Sequence, residues 1–209
     1  RNQEKLTDLV LAHDAGKFSV HKIVVCPQSK VFYKACTGGF EVSIAINLVT
    51  FFYRMDYNDD LPDGTNLSPL QLHVRMFALA DQYDIPDLAT VAAEKYSSEC
   101  SASWVPADFL ASIPDIYEST PACSRKLRDL ACLSIRRHLP RLLEDESIAG
   151  LYRDTLVNNP DFARDLLASY VDNPLCGSCA TCGPDQPMEA LQTRCKKCRK
   201  GNSSYCLYV

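Results

Sequence analysis

The sequence predicts an α+β fold: short strands and short helices in the N-terminal part, then an α-helical extension and a short cysteine-rich tail. Strand-like alternation of apolar and polar residues occurs within the first 48 residues, whereas helical periodicity runs from about residue 68 to residue 171. Six of the 11 cysteines lie in the last 34 residues of the 209-residue chain. This clustering separates the tail from the body and argues against a disulfide scaffold, whose bridges would be spread over the whole chain.

The N-terminal segment is expected to form two strands. Residues 6–11 and 18–22 have strand character, and the turn-forming residues 14–17 between them include Gly16, which tolerates positive φ. Shorter pieces follow up to the polar loop at residues 58–64. They are predicted as helices at 22–26 and 29–36, a third short strand at 44–48 and a helix at 49–57.

A buried central helix is predicted to begin at Ser68-Pro69, where a hydroxyl can cap the helix and proline suits its first position. Two adjacent apolar stripes leave this helix little polar surface. They consist of Leu72, Met76, Leu79 and Tyr83, and of Leu70, Val74 and Phe77. A second helix is expected from residues 84–87 to about Tyr96.

The C-terminal half of the body reads as a series of helices separated by prolines. Breaks are expected at Pro114, Pro121, Pro140 and residues 158–160. The predicted helical segments are 107–113, 124–138, 141–156 and 161–171, and residues 172–174 end this region.

Charge is divided unevenly along the chain. Residues 176–209 carry five basic and two acidic residues, a net charge of +3, which leaves 17 basic and 24 acidic residues, a net charge of −7, in the body. Because nucleic-acid backbones repel an acidic surface, the body is a poor candidate for binding them, whereas the basic tail is compatible with it.

Several function classes are disfavoured. The sequence lacks a dinucleotide-binding glycine motif, a phosphate-binding loop, a nucleophile elbow and a zinc-protease motif, so an enzyme is not expected. No apolar run approaches the ~18 residues that cross a bilayer. The N-terminal residues do not resemble a signal peptide, and with an odd number of cysteines this predicts a reducing, intracellular setting, nucleus or cytoplasm.

The tail carries the strongest chemical signal. The pairs Cys176/Cys179 and Cys195/Cys198 enclose 15 residues, a spacing typical of structural zinc sites, and neighbouring basic residues favour the thiolate form. Cys182 makes an equally good pair with Cys179, and Cys206 could replace any ligand. We therefore predict a structural zinc held by four of these six cysteines, with no open position for catalysis.

Several phrases of the body together resemble the BTB/POZ family, over about residues 5–170. The chain is most similar to the large fungal group of this family, whose members often end in a cysteine-rich, zinc-ribbon-like tail. The phrases are Asp8-Leu9, residues 18–22, 29–36 and 38–41, and the Phe77–Leu88 region, with a continuation at 104–117.

The resemblance implies a BTB/POZ-like domain at residues 5–98, in which a small sheet is flanked by helices and which is shortened around 41–51. An α-helical extension at 99–172 and a zinc-ribbon-like tail at 173–209 follow it. It implies a non-catalytic protein–protein interaction module that homodimerises and binds adaptor or scaffold proteins. In the family, an acidic residue on the first strand and a basic residue after a histidine form a charged pocket near the dimer interface. Asp8, His21 and Lys22 match those positions, and with Phe40 they are the expected partner-binding residues.

Two alternatives to a general interaction module stay open. One is a substrate adaptor of a cullin-type ubiquitin ligase. Family members with that role usually carry a hydrophobic-x-Glu motif, whereas this chain has Phe40-Glu41-Val42, with the glutamate one position early. The other is a nuclear, transcription-associated regulator that uses the basic, zinc-bound tail on nucleic acid.

Overall fold

The computed structural model describes residues 7–13, 16–38, 46–60, 67–173, 176–187, 195 and 197–198. The chain divides into two compact units, Arg1–Leu127 and Arg128–Val209. The α+β class is confirmed, since the described residues are mostly helical and form two small antiparallel sheets. No helix in the described ranges is long and apolar enough to span a bilayer.

The first sheet is the predicted N-terminal hairpin, in which β1 (Leu9–His13) pairs antiparallel with β2 (Gly16–Val20). Leu9 lies opposite Val20, and Leu11 opposite Phe18. Leu11 and Val20 are buried, whereas Val10 and Ser19 are exposed. Because side chains alternate between the two faces of a strand, one face of the hairpin packs inward and the other remains accessible.

Three helices follow the hairpin. They are α1 (Lys22–Val25), α2 (Lys30–Gly38) and α3 (Ile46–Arg54), with a 3₁₀ turn at Cys26–Gln28. The predicted strand at 44–48 is wrong where the structure describes it, because residues 46–48 begin α3. Leu48, Phe51 and Phe52 are buried at helical spacing, and this apolar face favours the helix.

Ser29 and Phe32 tie α2 to the core. The Ser29 hydroxyl donates to the carbonyl of Tyr83 (2.5 Å) and accepts from the amide of Phe32 (3.1 Å). The ring of Phe32, fully buried, packs edge-on against Phe52 and at a tilt against Tyr83, with centroids 5.3 and 5.1 Å apart.

The predicted central helix is confirmed as α4 (Pro69–Gln82). Ser68 and Gln71 cap its N-terminus reciprocally: the Gln71 amide donates to the Ser68 hydroxyl and the Ser68 amide to the Gln71 side chain. All residues of the two predicted stripes are buried except Leu79, which is partly exposed. Helix α4 packs against α5 (Pro86–Ala102) and α6 (Pro106–Ser119), which completes the core of the first unit.

A polar network holds the segment that follows α3. The ammonium of Lys95 contacts the carbonyl oxygen of Tyr57 (2.9 Å), the carboxylates of Asp56 (2.8 Å) and Asp59 (2.7 Å), and the ring of Tyr57. The Tyr57 hydroxyl lies 2.8 Å from Nδ1 of His73, a buried residue of α4. Burial lowers the pKa of His73, so its ring is held in the neutral form.

Two predicted helix breaks are wrong. Helix α6 continues through Pro114, flanked by the fully buried Ile113 and Ile116, so the apolar packing outweighs the loss of one amide donor. Helix α7 (Arg125–Leu142) includes Pro140 in its last turn and ends only after it. The predicted break before Pro160 is confirmed, since α8 (Glu146–Asn158) ends there and α9 (Pro160–Asp172) begins.

The second sheet is a hairpin in the tail. Strand β3 (Cys176–Cys179) pairs antiparallel with β4 (Gly183–Pro187), and the register shifts between Gly177 and Cys179. Cys179 lies opposite Gly183, so three residues make the turn. Gly183 has a φ of 90°, a conformation that favours glycine.

Candidate functional site

Four cysteines of the tail form a compact cluster. The Sγ atoms of Cys179, Cys182, Cys195 and Cys198 all lie within 4.8 Å of one another, and those of Cys179 and Cys198 are 3.5 Å apart. Cys179 and Cys195 are buried, and the other two are partly exposed. The structure therefore brings together four of the six cysteines that the sequence left open as ligands.

The tail hairpin decides which cysteines meet. Cys179 ends β3 and Cys182 ends the turn, so the turn folds the second thiol back towards the first. Cys176 lies at the other end of β3, exposed, whereas Cys179 is buried. The group of four convergent sulfur atoms does not include that of Cys176. Cys206 lies outside the described residues.

The hairpin turn also polarises the cluster. The backbone amides of Cys182 and Thr181 donate to the sulfur of Cys179, which lowers the pKa of Cys179 to about 7. The pKa of Cys182 rises to about 12, first because its thiol is hydrogen-bonded with Cys198 and then through burial and neighbouring sulfurs. Without a cation, crowded sulfurs cannot all carry charge, whereas a bound divalent cation would stabilise four thiolates.

The donor set fits a tetrahedral sulfur site. Zinc–sulfur bonds of ~2.3 Å imply sulfur–sulfur separations of ~3.8 Å in a tetrahedron. The 3.5 Å separation of Cys179 from Cys198 and the 4.8 Å upper limit within the cluster bracket that distance. All-sulfur tetrahedral donors suit zinc or iron rather than magnesium or calcium. The four cysteines thus make a candidate metal site.

A second candidate site is the accessible face of the β1–β2 hairpin. Opposed residues of an antiparallel pair point to the same face, so Asp8, Val10, Ser19 and His21 share it. The amide of Lys22 donates to Oδ1 of Asp8 (2.8 Å), and the amide of Asp8 donates to the carbonyl of Val20 (3.2 Å). Asp8, His21 and Lys22, all predicted from the sequence, therefore lie together at the start of α1.

Tyr53 of α3 is a member of this site that the sequence did not predict. Its hydroxyl accepts from the amide of His21 (2.9 Å) and lies 2.8 Å from the Nδ1 atom of the same residue. These two contacts connect α3 to His21, the residue that precedes the first turn of α1. The sequence did not predict this contact because His21 and Tyr53 are 32 positions apart, and no local pattern relates residues so far apart in the chain.

Large apolar side chains lie beside these polar groups. Ile23 is 83% exposed and Val10 is 58% exposed, and Tyr53 is 46% exposed. We call Asp8, Val10, His21, Ile23 and Tyr53 the hairpin surface. Phe40, also predicted to bind a partner, lies outside the described residues, as do Glu41 and Val42 of the displaced motif.

Comparison with protein families identifies the N-terminal part of the chain. Residues 1–99 match the BTB/POZ domain model, so the chain carries a BTB/POZ domain there. This domain is a protein–protein interaction module, and its family is not typically catalytic. Comparison with curated proteins gives no match. The compact unit continues to Leu127, past the matched residues, because α6 packs on α4.

Proposed function

We propose that the protein is an interaction module that forms a homodimer through the hairpin surface and binds adaptor or scaffold proteins. The observation that carries this proposal is the 83% exposure of Ile23 on a domain whose class mediates protein–protein contacts. Fully burying a side chain of this kind stabilises a complex by roughly 1.5–3 kcal/mol, so leaving it in water is a cost that a partner removes.

The polar groups of the hairpin surface support the same function. His21 is held by two contacts with Tyr53, and Asp8 is held by the amide of Lys22. Side chains fixed before binding lose less conformational entropy when a partner arrives. An apolar pair, Val10 and Ile23, beside such fixed polar groups has the character of a hydrophobic interface centre with a polar rim.

Light scattering coupled to size-exclusion chromatography tests the dimer. We expect twice the chain mass at tens of micromolar, and Ile23→Glu is expected to weaken the dimer at least ~10-fold, or about 1.4 kcal/mol. Val157→Glu is the matched control, because Val157 of α8 is 79% exposed and lies in the other unit. A monomeric wild-type chain, or equal weakening by both variants, would contradict the proposal.

We also propose that the cysteine cluster holds a structural zinc ion. Support comes from the four convergent thiols, which would fill all four positions of a tetrahedral zinc ion. Such a site has no open coordination position for catalysis. Zinc bound there would cross-link the β3–β4 turn to the Cys195–Cys198 segment. Elemental analysis of the purified chain is expected to give about one zinc per chain and little iron.

A pair of cysteine variants tests the ligand set. Cys182→Ser removes a proposed ligand and is expected to lower zinc to less than ~0.2 equivalents under mild chelation. Cys176→Ser alters a thiol of the same hairpin that faces away from the cluster, and zinc should stay near one equivalent. If Cys176→Ser lost zinc and Cys182→Ser kept it, Cys176 rather than Cys182 would be the ligand.

Two more specific roles are alternatives. A cullin adaptor should retain a cullin in affinity purification. A nucleic-acid-binding regulator should bind in a salt-sensitive manner that is lost when Lys196, Lys197, Arg199 and Lys200 are neutralised. Of these four residues the structure describes Lys197, which is exposed beside the cluster. We propose an intracellular setting, supported by the lack of a disulfide among the nine cysteines whose side chains the structure describes.

A further inference from the structure

The described part of the tail has almost no apolar core. Residues 176–187, 195 and 197–198 include no leucine, isoleucine, valine or aromatic residue. The side chains buried there are those of Cys179 and Cys195, 4% and 0% exposed. Burial of apolar surface therefore contributes little to the order of this segment.

The backbone of the tail hairpin adds little stability either. Its strands have four and five residues, and their register is irregular at Gly177–Cys179. An isolated two-stranded hairpin of this size is marginal in water. Structural zinc, by contrast, couples its binding free energy to folding, so that small sulfur-rich modules are ordered with the metal and unfolded without it.

The helix that precedes the tail is held by a different device. The buried guanidinium of Arg136 donates through Nη1 to the carbonyl of Ser169 and through Nη2 to the carbonyl of Asn173, both at 2.6 Å. It also stacks over the ring of Tyr170 at 4.5 Å. The Ser169 carbonyl also accepts from the Asn173 amide, so Arg136 adds a second donor there, binds the carbonyl of the C-terminal capping residue Asn173 and complements the helix dipole.

From these two observations we infer that zinc acts as a folding switch for the tail, with a sharp boundary at Asn173. Removing the metal releases residues 176–187, 195 and 197–198 from their ordered arrangement, whereas α9 keeps its end because Arg136, not the metal, holds it. This inference rests on the proposed zinc site and adds which residues the metal orders and where that order stops.

The inference is tested by hydrogen exchange of the full chain under reducing conditions, measured with and without a strong zinc chelator. Amides of residues 176–187 are expected to exchange at least ~10-fold faster after zinc removal, while those of α9 change less than ~2-fold. Arg136→Met should speed exchange of the Asn173 amide, which bonds to Ser169, with zinc content unchanged. Arg137→Met, on the exposed side of α7, is the matched control and should change neither.

The outcomes separate the two claims. A chain that takes up no zinc overturns the metal site and the inference together. A chain that binds one zinc, yet keeps residues 176–187 protected after its removal, overturns the inference alone. Fraying of α9 on chelation to the same degree as the hairpin, or an effect of Arg136→Met no larger than that of Arg137→Met, also contradicts the boundary at Asn173.

Discussion

The most deeply buried side chains of the N-terminal unit include those of Phe32, Phe51 and Leu88, whereas in the described part of the tail they are those of two cysteines. The first unit gathers enough apolar surface from α2 to α6 to make a core. The described residues of the tail include no leucine, isoleucine, valine or aromatic residue and bring sulfur atoms together instead. The contrast shows how one chain combines order from hydrophobic burial with order that depends on a ligand.

The two regions also differ in how their polar groups are satisfied. In the first unit Lys95 and His73 are paired within the protein itself, through Asp56, Asp59 and Tyr57. In the tail the thiols of Cys179 and Cys198 face each other and, when ionised, require a cation. The BTB/POZ domain should therefore be insensitive to chelators, and the tail insensitive to changes in the apolar core.

The largest effect that separates the regions is expected from Phe32→Ala. Removing a fully buried ring that packs on Phe52 and Tyr83 should lower the free energy of unfolding of the first unit by ~3–5 kcal/mol. Urea unfolding followed by tyrosine fluorescence measures it, and zinc content reports on the tail.

Phe32→Leu is the milder variant, in case the alanine variant does not fold, and should cost clearly less. Zinc should stay at the wild-type level in both. A loss of zinc that parallels the loss of stability would contradict this prediction, because it would show that the order of the tail depends on the apolar core of the first unit.

A smaller effect is expected from Lys95→Met. The change leaves the carbonyl of Tyr57 and two carboxylates without their cation, so we expect a loss of ~1–3 kcal/mol. Lys30→Met is the matched control. Its partner Asp84 is 3.5 Å away and both side chains are largely exposed, so the expected loss is at most ~1 kcal/mol. If the two lysines cost the same, the network after α3 is only a surface feature.

The smallest effect is a pH dependence. Burial lowers the pKa of His73 in the folded state below its ordinary 6.5, so the unfolded chain binds a proton first as the pH falls. Stability should be constant above about pH 6.5 and decline below it, by no more than ~1.4 kcal/mol per pH unit for this group.

Urea unfolding between pH 5 and 8 measures this slope, and His73→Gln should flatten it. Burial also lowers the pKa of His138, and the positive charges of Arg137 and Arg141 lower it further. We therefore expect His138→Gln to remove a separate part of the pH dependence of stability. A rise in stability on acidification would show that His73 gains a proton on folding and that burial does not hold its ring neutral.

Much of the fold follows from local patterns. The two stripes of α4 and the Ser68-Pro69 start predicted a buried helix, and the structure has one. The start of α9 at Pro160 was likewise readable, because proline suits the first helical position. Where a pattern spans several turns or has a specific capping residue, the local free energy already selects the structure.

Short or ambiguous segments required the tertiary structure. The sequence of an apolar run such as residues 44–48 is compatible with strand or helix, and burial of Leu48, Phe51 and Phe52 on one side favours the helix that begins at Ile46. Pro114 and Pro140 were expected to end helices, but packing elsewhere along α6 and the terminal position in α7 allowed both.

The sequence by itself determined that the tail holds a cluster of thiols and that the body resembles a BTB/POZ domain, since both depend on residue types and their spacing. Only the tertiary structure decided which thiols converge and that Tyr53 joins His21. Cysteine pairs 176/179 and 179/182 have identical spacing, so the choice between them depends on the strand pairing that turns Cys176 outward. Spacing in a chain specifies which contacts are within reach, whereas the packing of distant segments selects among them.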